Sequence, residues 1–212
     1  MTKQQKDEKD IKEFYSQSSD DPLRDLQEQG YSTLYMPELT QKRINSERKS
    51  KFWNPWITSI SIKATGKTIN KTPVVLYVHT QNYTSDPILR KTLNRVIMAG
   101  IMPEKEFLRL LKLGEGGDKK VLLVPYYKLR NSPSGIMSID DALDHPQTIP
   151  FLGGEDIAKN YLKKHKEFFG NEIGIYHSND LSKEPAWRWL YISQNLSSDN
   201  SLYDDTLFLG LK

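Results

Sequence analysis

Alternating apolar and polar residues predict β-strands in the first half of the chain. Residues 56–64 (WITSISIKA) place Ile60 and Ile62 on one face, and residues 73–80 (PVVLYVHT) follow after a turn-rich link. Period-two alternation is typical of strands, and a short turn-rich link joins antiparallel neighbours. These two runs therefore predict a β-hairpin, and residues 31–36 predict a further short strand.

Helical periodicity characterises the middle of the chain. Asp86 and Pro87 predict a helix start, because Asp caps free backbone amides and Pro suits the first helical position. Apolar residues then recur at helical spacing until Gly100, which predicts the end of this helix. A second helix is predicted from Pro103 to about Leu113. Together they form a helical middle segment.

Residues beyond the helical middle predict one strand and two helices. Residues 120–127 (KVLLVPYY) form a continuous apolar run and predict a well-buried strand with a bulge or edge at its proline. Ser138 and Asp141 resemble a capping box at the start of a short helix. Residues 145–154 are predicted to be irregular, and residues 155–169 predict an amphipathic helix.

The C-terminal part returns to strand patterns. Residues 173–177, 187–193 and 202–209 are apolar or aromatic runs separated by polar segments, which predicts an antiparallel meander. In the middle run, Trp187, Trp189 and Tyr191 alternate with other residues, so one face is predicted to be wholly aromatic.

Strand patterns at both ends and helices between them predict an α+β fold. The expected architecture is a mainly antiparallel sheet with a helical middle segment and one packed amphipathic helix near the C-terminal half. Residues 1–30 are polar and mixed in charge, which predicts an N-terminal arm that is helical or mobile. Residues 31–212 are expected to form a single α+β domain.

Composition narrows the classes of protein that the chain could belong to. No apolar stretch approaches the roughly 18 residues of a membrane span, and the first residues are too charged for a secretory signal. The chain contains no cysteine, which excludes disulfides, thiolate metal sites and cysteine nucleophiles. We therefore expect a soluble, cytoplasmic protein with no membrane association, and no motif indicates a cofactor or a metal.

Charge is distributed unevenly along the sequence. Residues 41–112 contain fourteen Lys or Arg against four Asp or Glu, a local net charge of +10 in a chain of net charge +3. Residues 1–40 and 113–212 are both acidic, at −4 and −3. Positive charges that crowd together repel one another, and a bound anion would offset this repulsion. The charge of the middle segment therefore predicts an anionic partner.

Basic residues interleaved with aromatic ones are what a nucleic-acid groove requires, since cations neutralise phosphates and rings stack on bases. The basic segment falls into a dense run, a hairpin end and one helix face. Its predicted nucleic-acid-binding residues are Lys42, Arg43, Arg48, Lys49, Lys51, Trp53, Trp56, Lys63, Lys67, Lys71, Arg90, Lys91 and Arg95. The sequence favours a non-catalytic protein that binds or associates with DNA or RNA.

Two other functions remain open. His177 and Asp180 follow a predicted strand and, if folding brings them near Lys119 or Lys120, predict a nucleic-acid-processing enzyme that cleaves strands or releases bases.

The glycine-rich residues 114–120 run from helix to strand, unlike a phosphate-binding loop, and predict a helix end followed by a turn.

The third function is a structural or self-assembling protein-interaction module. The acidic flanks and the basic middle would complement each other between subunits, and Trp187, Trp189 and Tyr191 would face a partner. This hypothesis predicts a homo-oligomer or a complex with another protein. No residue is assigned a catalytic role by the sequence.

Overall fold

The structure is a computed structural model of the 212-residue chain. It describes residues 11–16, 22–53, 56–80, 93–94, 99–179, 181–199 and 206–212.

Strands and helices alternate irregularly along the chain. In order, the elements are β1 (Ile11–Ser16), α1 (Pro22–Glu28), β2 (Ser32–Thr33), α2 (Met36–Ile44), a 3-10 turn (Lys51–Trp53), β3 (Ile57–Lys67), β4 (Pro73–Val78), β5 (Leu93–Asn94), β6 (Ala99–Ile101), α3 (Glu104–Glu115), β7 (Val121–Pro125), α4 (Tyr126–Arg130), β8 (Gly135–Ser138), α5 (Ile139–Asp144), α6 (Thr148–Leu152), α7 (Glu155–Phe169), β9 (Glu172–His177), β10 (Ala186–Ile192), β11 (Leu196–Ser198) and β12 (Thr206–Leu211).

A three-stranded sheet joins the two ends of the described chain. Its order is β1-β12-β2, and Ile11 lies opposite Leu211 in an antiparallel register. Phe14 and Phe208 are an opposed pair, and both are buried beside Leu26 of α1. Residues 11–16 and 22–28 of the predicted N-terminal arm are thus a strand and a helix packed against the C-terminal strand.

The larger sheet has the order β7-β4-β3-β10-β11-β9-β8, with β6 beside the start of β10 and β5 beside β6. The β11–β9 pair is parallel, and the other pairs of this sheet among the described residues are antiparallel. The predicted hairpin of residues 56–64 and 73–80 is confirmed, because β3 pairs with β4 from Ile62 opposite Val78 to Lys67 opposite Pro73.

Both faces of the large sheet are covered near its centre. On one face, Val75 and Tyr77 pack with residues of α2, α6 and α7; on the other, Val74 and Leu76 pack with Phe107 of α3. Strand β3 is therefore buried from Ile57 to Gly66 although it carries several polar residues. Helices on two faces and a mostly antiparallel sheet confirm the predicted α+β class.

Several predicted elements are confirmed within a few residues. The amphipathic helix 155–169 is α7, and the helix predicted from Pro103 is α3, which begins one residue later. Ser138 caps α5 by accepting a hydrogen bond from the Asp141 amide at 3.1 Å. The glycine-rich segment after α3 is a helix end and a turn, with Gly117 at φ 80°.

Other predictions of the sequence are wrong. The C-terminal strands do not form a meander: β9 pairs with β8 and β11, β10 pairs with β3, and β12 leaves this sheet to pair with β1. Residues 148–152, predicted to be irregular, form α6. The helix predicted from Asp86 falls mostly outside the described residues, and Leu93–Asn94 within it is a strand.

Close packing at one glycine generates the first prediction. A methyl group at Gly100 of β6 would lie 2.2 Å from the indole ring of Trp187, whose side chain covers this strand. We expect Gly100→Ala to lower the free energy of unfolding by about 1–3 kcal/mol, since overpacking forces the ring or the strand to move.

Urea denaturation measures this loss. Gly116→Ala is the matched control, because its backbone φ of −77° is an ordinary one and its Cβ would meet only backbone oxygens at 3.3 and 3.4 Å. Equal stability of Gly100→Ala and the wild type would contradict the packing of Trp187 on β6.

Candidate functional site

Arg43, predicted to contact phosphate, is a fully buried residue of α2. Its guanidinium donates to the carbonyl oxygen of Ile192 at 2.9 Å, to that of Ser193, and to the hydroxyl of Tyr161 at 3.4 Å. Burial lowers the pKa of Arg43, while the neighbouring Tyr161 acts in the opposite direction. The assignment of Arg43 to a nucleic-acid surface is therefore wrong, because it joins elements inside the fold.

Trp53 and Lys63 are buried as well. The Trp53 ring stacks on Tyr161 with centroids 5.7 Å apart, and its Nε1 donates to the carbonyl oxygen of Arg43 at 3.1 Å. Lys63, at 2% exposure, donates from Nζ to the carbonyl oxygen and hydroxyl of Ser178 at 2.6 and 2.9 Å. Neither side chain offers a surface to a nucleic acid, which corrects the prediction for both.

The predicted basic segment does not converge on one surface. Its exposed cations Arg48, Lys49 and Lys51 precede β3, whereas Lys67 and Lys71 lie at or beyond its other end. Eleven residues of extended strand span roughly 35 Å. Lys42 is half-buried and Trp56 is 51% exposed near the first group. Arg90, Lys91 and Arg95 lie outside the described residues.

The aromatic face predicted on β10 lies inside the domain. A register shift interrupts β10 between Trp189 and Tyr191, and Trp187 and Tyr191 are each 3% exposed. Trp189 packs edge-on against Phe208 at 5.5 Å between centroids. The prediction that these rings face a partner is therefore wrong, because both sides of β10 are covered.

The fold separates His177 from Lys119 and Lys120. Lys119 and Lys120 precede β7, whereas Tyr126, which follows that strand, reaches the His177 end of the sheet by donating to the carbonyl oxygen of Asn179 at 2.7 Å. Asp180 lies outside the described residues. Burial, and then the charge of Lys63, lower the pKa of His177.

The described residues give His177 no carboxylate hydrogen-bond partner. No carboxylate in the described part of the chain accepts a hydrogen bond from either of its ring nitrogens. Within the same residues, no group of three or more His, Asp or Glu side chains could hold a metal ion. Among the described residues, the geometry thus contains neither a carboxylate-held histidine at this position nor a metal centre.

A buried polar network organises the end of the sheet where β9 and β11 stop. Gln147 accepts hydrogen bonds from Tyr77 at 3.0 Å and Ser198 at 2.7 Å, and its amide donates to the carbonyl oxygens of Tyr176 and Leu196 at 3.1 and 3.4 Å. Both polar atoms of the Gln147 side chain are satisfied, so the network ties β4, β9 and β11 together at little desolvation cost.

Two histidines extend this internal scaffold in their neutral forms. The backbone amide of Gln147 donates to Nδ1 of His145, so Nε2 of that ring carries the proton and donates to the carbonyl oxygen of Pro133 at 3.1 Å. His79 contacts Ser61 and the carbonyl oxygen of Pro150, both at 2.8 Å. Burial is the largest cause that lowers the pKa of each, to about 4.

The loops at this end are anchored through backbone atoms. Lys63 and Tyr126 hold the carbonyl oxygens of Ser178 and Asn179 after β9, and Arg188 holds the carbonyl oxygen of Asp199 after β11 at 3.4 Å. A carbonyl oxygen is present whatever the side chain, so these three hydrogen bonds do not depend on the residue types of the loops. We call residues 178–179, 181–185 and 199, with the adjacent α4, the loop end.

Several side chains at the loop end are exposed. Tyr127 of α4 is 62% exposed and Leu181 is 38% exposed, and Lys183 and Glu184 beside Leu181 are also exposed. The surface thus combines aromatic, aliphatic and charged groups on an internally held backbone. Binding residues are disproportionately found on loops that a rigid scaffold positions.

Sequence patterns gave no sign of Gln147 or His79 as structural residues. Gln147 lies in a segment predicted to be irregular, and its partners Tyr77 and Ser198 are 70 and 51 residues away. The one available signal is the row of Ser59, Ser61 and Lys63 in a strand pattern, since buried polar residues need partners.

Comparisons with known proteins agree with this architecture. No protein-family model and no curated protein sequence matches the chain. A solved structure aligns with this chain with a TM-score of 0.88 and 40% sequence identity. Its description concerns the accommodation of massive sequence variation in Nanoarchaeota by the C-type lectin fold. The alignment covers 95% of this chain and 97% of that one.

The first and last described strands pair with each other, and helices flank a mixed large sheet. The chain is thus an α+β domain of the C-type lectin-like class. Because identity and coverage are both high, the chain belongs to the C-type lectin-fold family represented by that nanoarchaeal structure. None of the helices in the described residues is long and apolar enough to cross a membrane.

Buried neutral histidines predict a pH-dependent stability. The folded pKa of His79 and of His145 lies below the usual 6.5, so the unfolded chain binds protons that the folded chain excludes. Their stabilisation is complete above about pH 6.5 and is lost as the pH falls towards about 4. We expect His79 to cost roughly 2 kcal/mol at pH 5 and His145 to act in the same direction.

Thermal unfolding at pH 7.5 and 5 measures this loss, above the range in which most carboxylates titrate. His145→Gln should show a smaller difference between the two pH values than the wild type. A wild-type melting temperature that is unchanged between them would contradict neutral burial of these rings.

Proposed function

We infer that the chain is a non-catalytic recognition module that binds a protein partner through exposed side chains of the loop end. The observation that carries this inference is the anchoring of the loops by backbone carbonyl oxygens. Side chains such as Leu181 and Lys183 can then change without loss of the hydrogen bonds that hold their backbone.

The related structure supports the same function. Its description concerns a C-type lectin fold that accommodates massive sequence variation, and the present chain shares 40% of its residues over 95% of its length. A rigid scaffold with replaceable surface residues suits recognition, because new contacts then arise without a new fold. Of the three functions predicted from the sequence, the protein-interaction module is the one that this relationship favours.

Nucleic-acid binding at the predicted residues has less support. Arg43, Trp53 and Lys63 are buried, and the exposed cations before and after β3 lie far apart. The enzyme hypothesis depends on a grouping of His177 with Lys119 or Lys120 that the fold separates.

Tolerance to substitution at the loop end is the first test. We expect the combined variant Tyr127→Ser, Leu181→Ser, Lys183→Ser and Glu184→Ser to unfold within about 1 kcal/mol of the wild type, as exposed substitutions usually do. Gln147→Leu should lose at least about 2 kcal/mol, since it leaves the hydroxyls of Tyr77 and Ser198 buried without their acceptor. Chemical denaturation measures both, and a combined variant that unfolds as readily as Gln147→Leu would contradict the proposed scaffold.

Binding is the second test. A surface-displayed library randomised at positions 127, 181, 183 and 184 is selected on a folded protein target. A matched library is randomised at four exposed positions at the C-terminal end of α3 and in its following turn, Lys112, Glu115, Lys119 and Lys120. We expect binders to be enriched from the first library, and equal enrichment from both would overturn the assignment of the recognition surface.

A further inference from the structure

The C-terminal half of α7 meets the basic run that precedes β3. The guanidinium carbon of Arg48 lies 5.0 Å from the ring centroid of Phe169. The Trp53 ring contacts Phe168 and Phe169 with centroids 5.3 and 5.6 Å away. Two segments that are more than one hundred residues apart in the sequence therefore form one surface.

Helix α7 adds a cation to this run. The Lys164 ammonium lies 4.4 Å from the centroid of Phe168, the ring that contacts Trp53. Lys42 lies 6.0 Å from the Phe52 centroid. We call the surface formed by Lys42, Arg48, Lys49, Lys51 and Lys164 the basic patch.

Acidic residues do not balance the basic patch. Within residues 42–51 and 164–169 the acidic side chains are Glu47 and Glu167, against the five cations of the patch and the buried Arg43. Glu167 lies 3.2 Å from Lys164, an exposed pair that contributes little in water. A surface with this excess of positive charge attracts a polyanion.

The aromatic rings of the patch indicate which polyanion fits. Phe52 is buried, and Phe168 and Phe169 are partly buried, with cations above all three. These rings offer no open face on which a base could stack, and none projects as an anchor into a lipid layer. Contact through Arg and Lys alone, without stacking on bases, suits a phosphate backbone.

The patch lies away from the loop end. It is close to the start of β3 and to the turn after β10, where Arg43 contacts Ser193, whereas the loop end lies beyond the opposite end of β10. A ligand at one end therefore leaves the other end accessible.

We propose that the basic patch is a second, independent binding surface that holds a nucleic-acid phosphate backbone without reading its sequence. This goes beyond recognition of a protein partner at the loop end and does not depend on it. Of the residues originally predicted to bind nucleic acid, Lys42, Arg48, Lys49 and Lys51 contribute, and Lys164 of α7 replaces the hairpin and the buried residues.

Fluorescence anisotropy of a labelled random-sequence DNA duplex tests the proposal. We expect wild-type affinity to fall steeply between about 50 and 200 mM salt. The variant Lys49→Glu, Lys51→Glu should bind about tenfold more weakly or worse, and its salt slope should be smaller by about 2, as expected when two phosphate contacts are lost.

The matched control is Lys67→Glu, Lys119→Glu, which changes the net charge equally at exposed positions away from the patch. It should retain duplex affinity within about twofold, since it removes no phosphate contact. Equal loss in both variants, or no duplex binding at low salt, would overturn the proposal. Binding to anionic lipid vesicles or to an acidic peptide, with none to the duplex, would overturn it as well.

Discussion

Burial of the Arg43 guanidinium is the constraint on which the arrangement of helices and strands depends. A charge removed from water costs several kcal/mol unless hydrogen bonds replace its hydration. Arg43 recovers them from the carbonyl oxygens of Ile192 and Ser193 and from Tyr161, and its guanidinium lies 5.0 Å from the Trp53 ring. These partners come from the end of β10, from α7 and from the turn before β3, so one side chain fixes the position of α2 against three other parts of the domain.

Local patterns were sufficient to predict elements whose limits are set by nearby residues. Helix α7 begins after Gly154 and ends before Gly170, and α5 begins at the Ser138 cap. Structural features that depend on partners distant in sequence could not be predicted. Arg43 belongs to a basic run next to aromatic residues, and its burial depends on carbonyl oxygens about 150 residues away. The parallel β11–β9 pair likewise depends on long-range contacts.

The candidate site also could not be predicted from local sequence. The sequence directed attention to His177 because histidine beside an acidic residue is chemically reactive, whereas the structure makes this end of the sheet a scaffold built from Gln147, His145 and Lys63. Internal hydrogen bonds hold the loop backbones, and in the function that we propose the exposed side chains make the contacts. This separation between scaffold and surface gives a physical reason why a C-type lectin fold can accommodate extensive sequence variation.

The stability of an Arg43→Met variant tests the central claim most directly. If Arg43 fastens α2 to the β10–β11 turn, the substitution leaves buried carbonyl oxygens without donors and lowers the free energy of unfolding by at least about 2 kcal/mol in urea denaturation. Lys49→Met, at an exposed neighbour on the same basic run, should change it by less than about 0.5 kcal/mol. An Arg43→Met protein as stable as Lys49→Met would contradict the account.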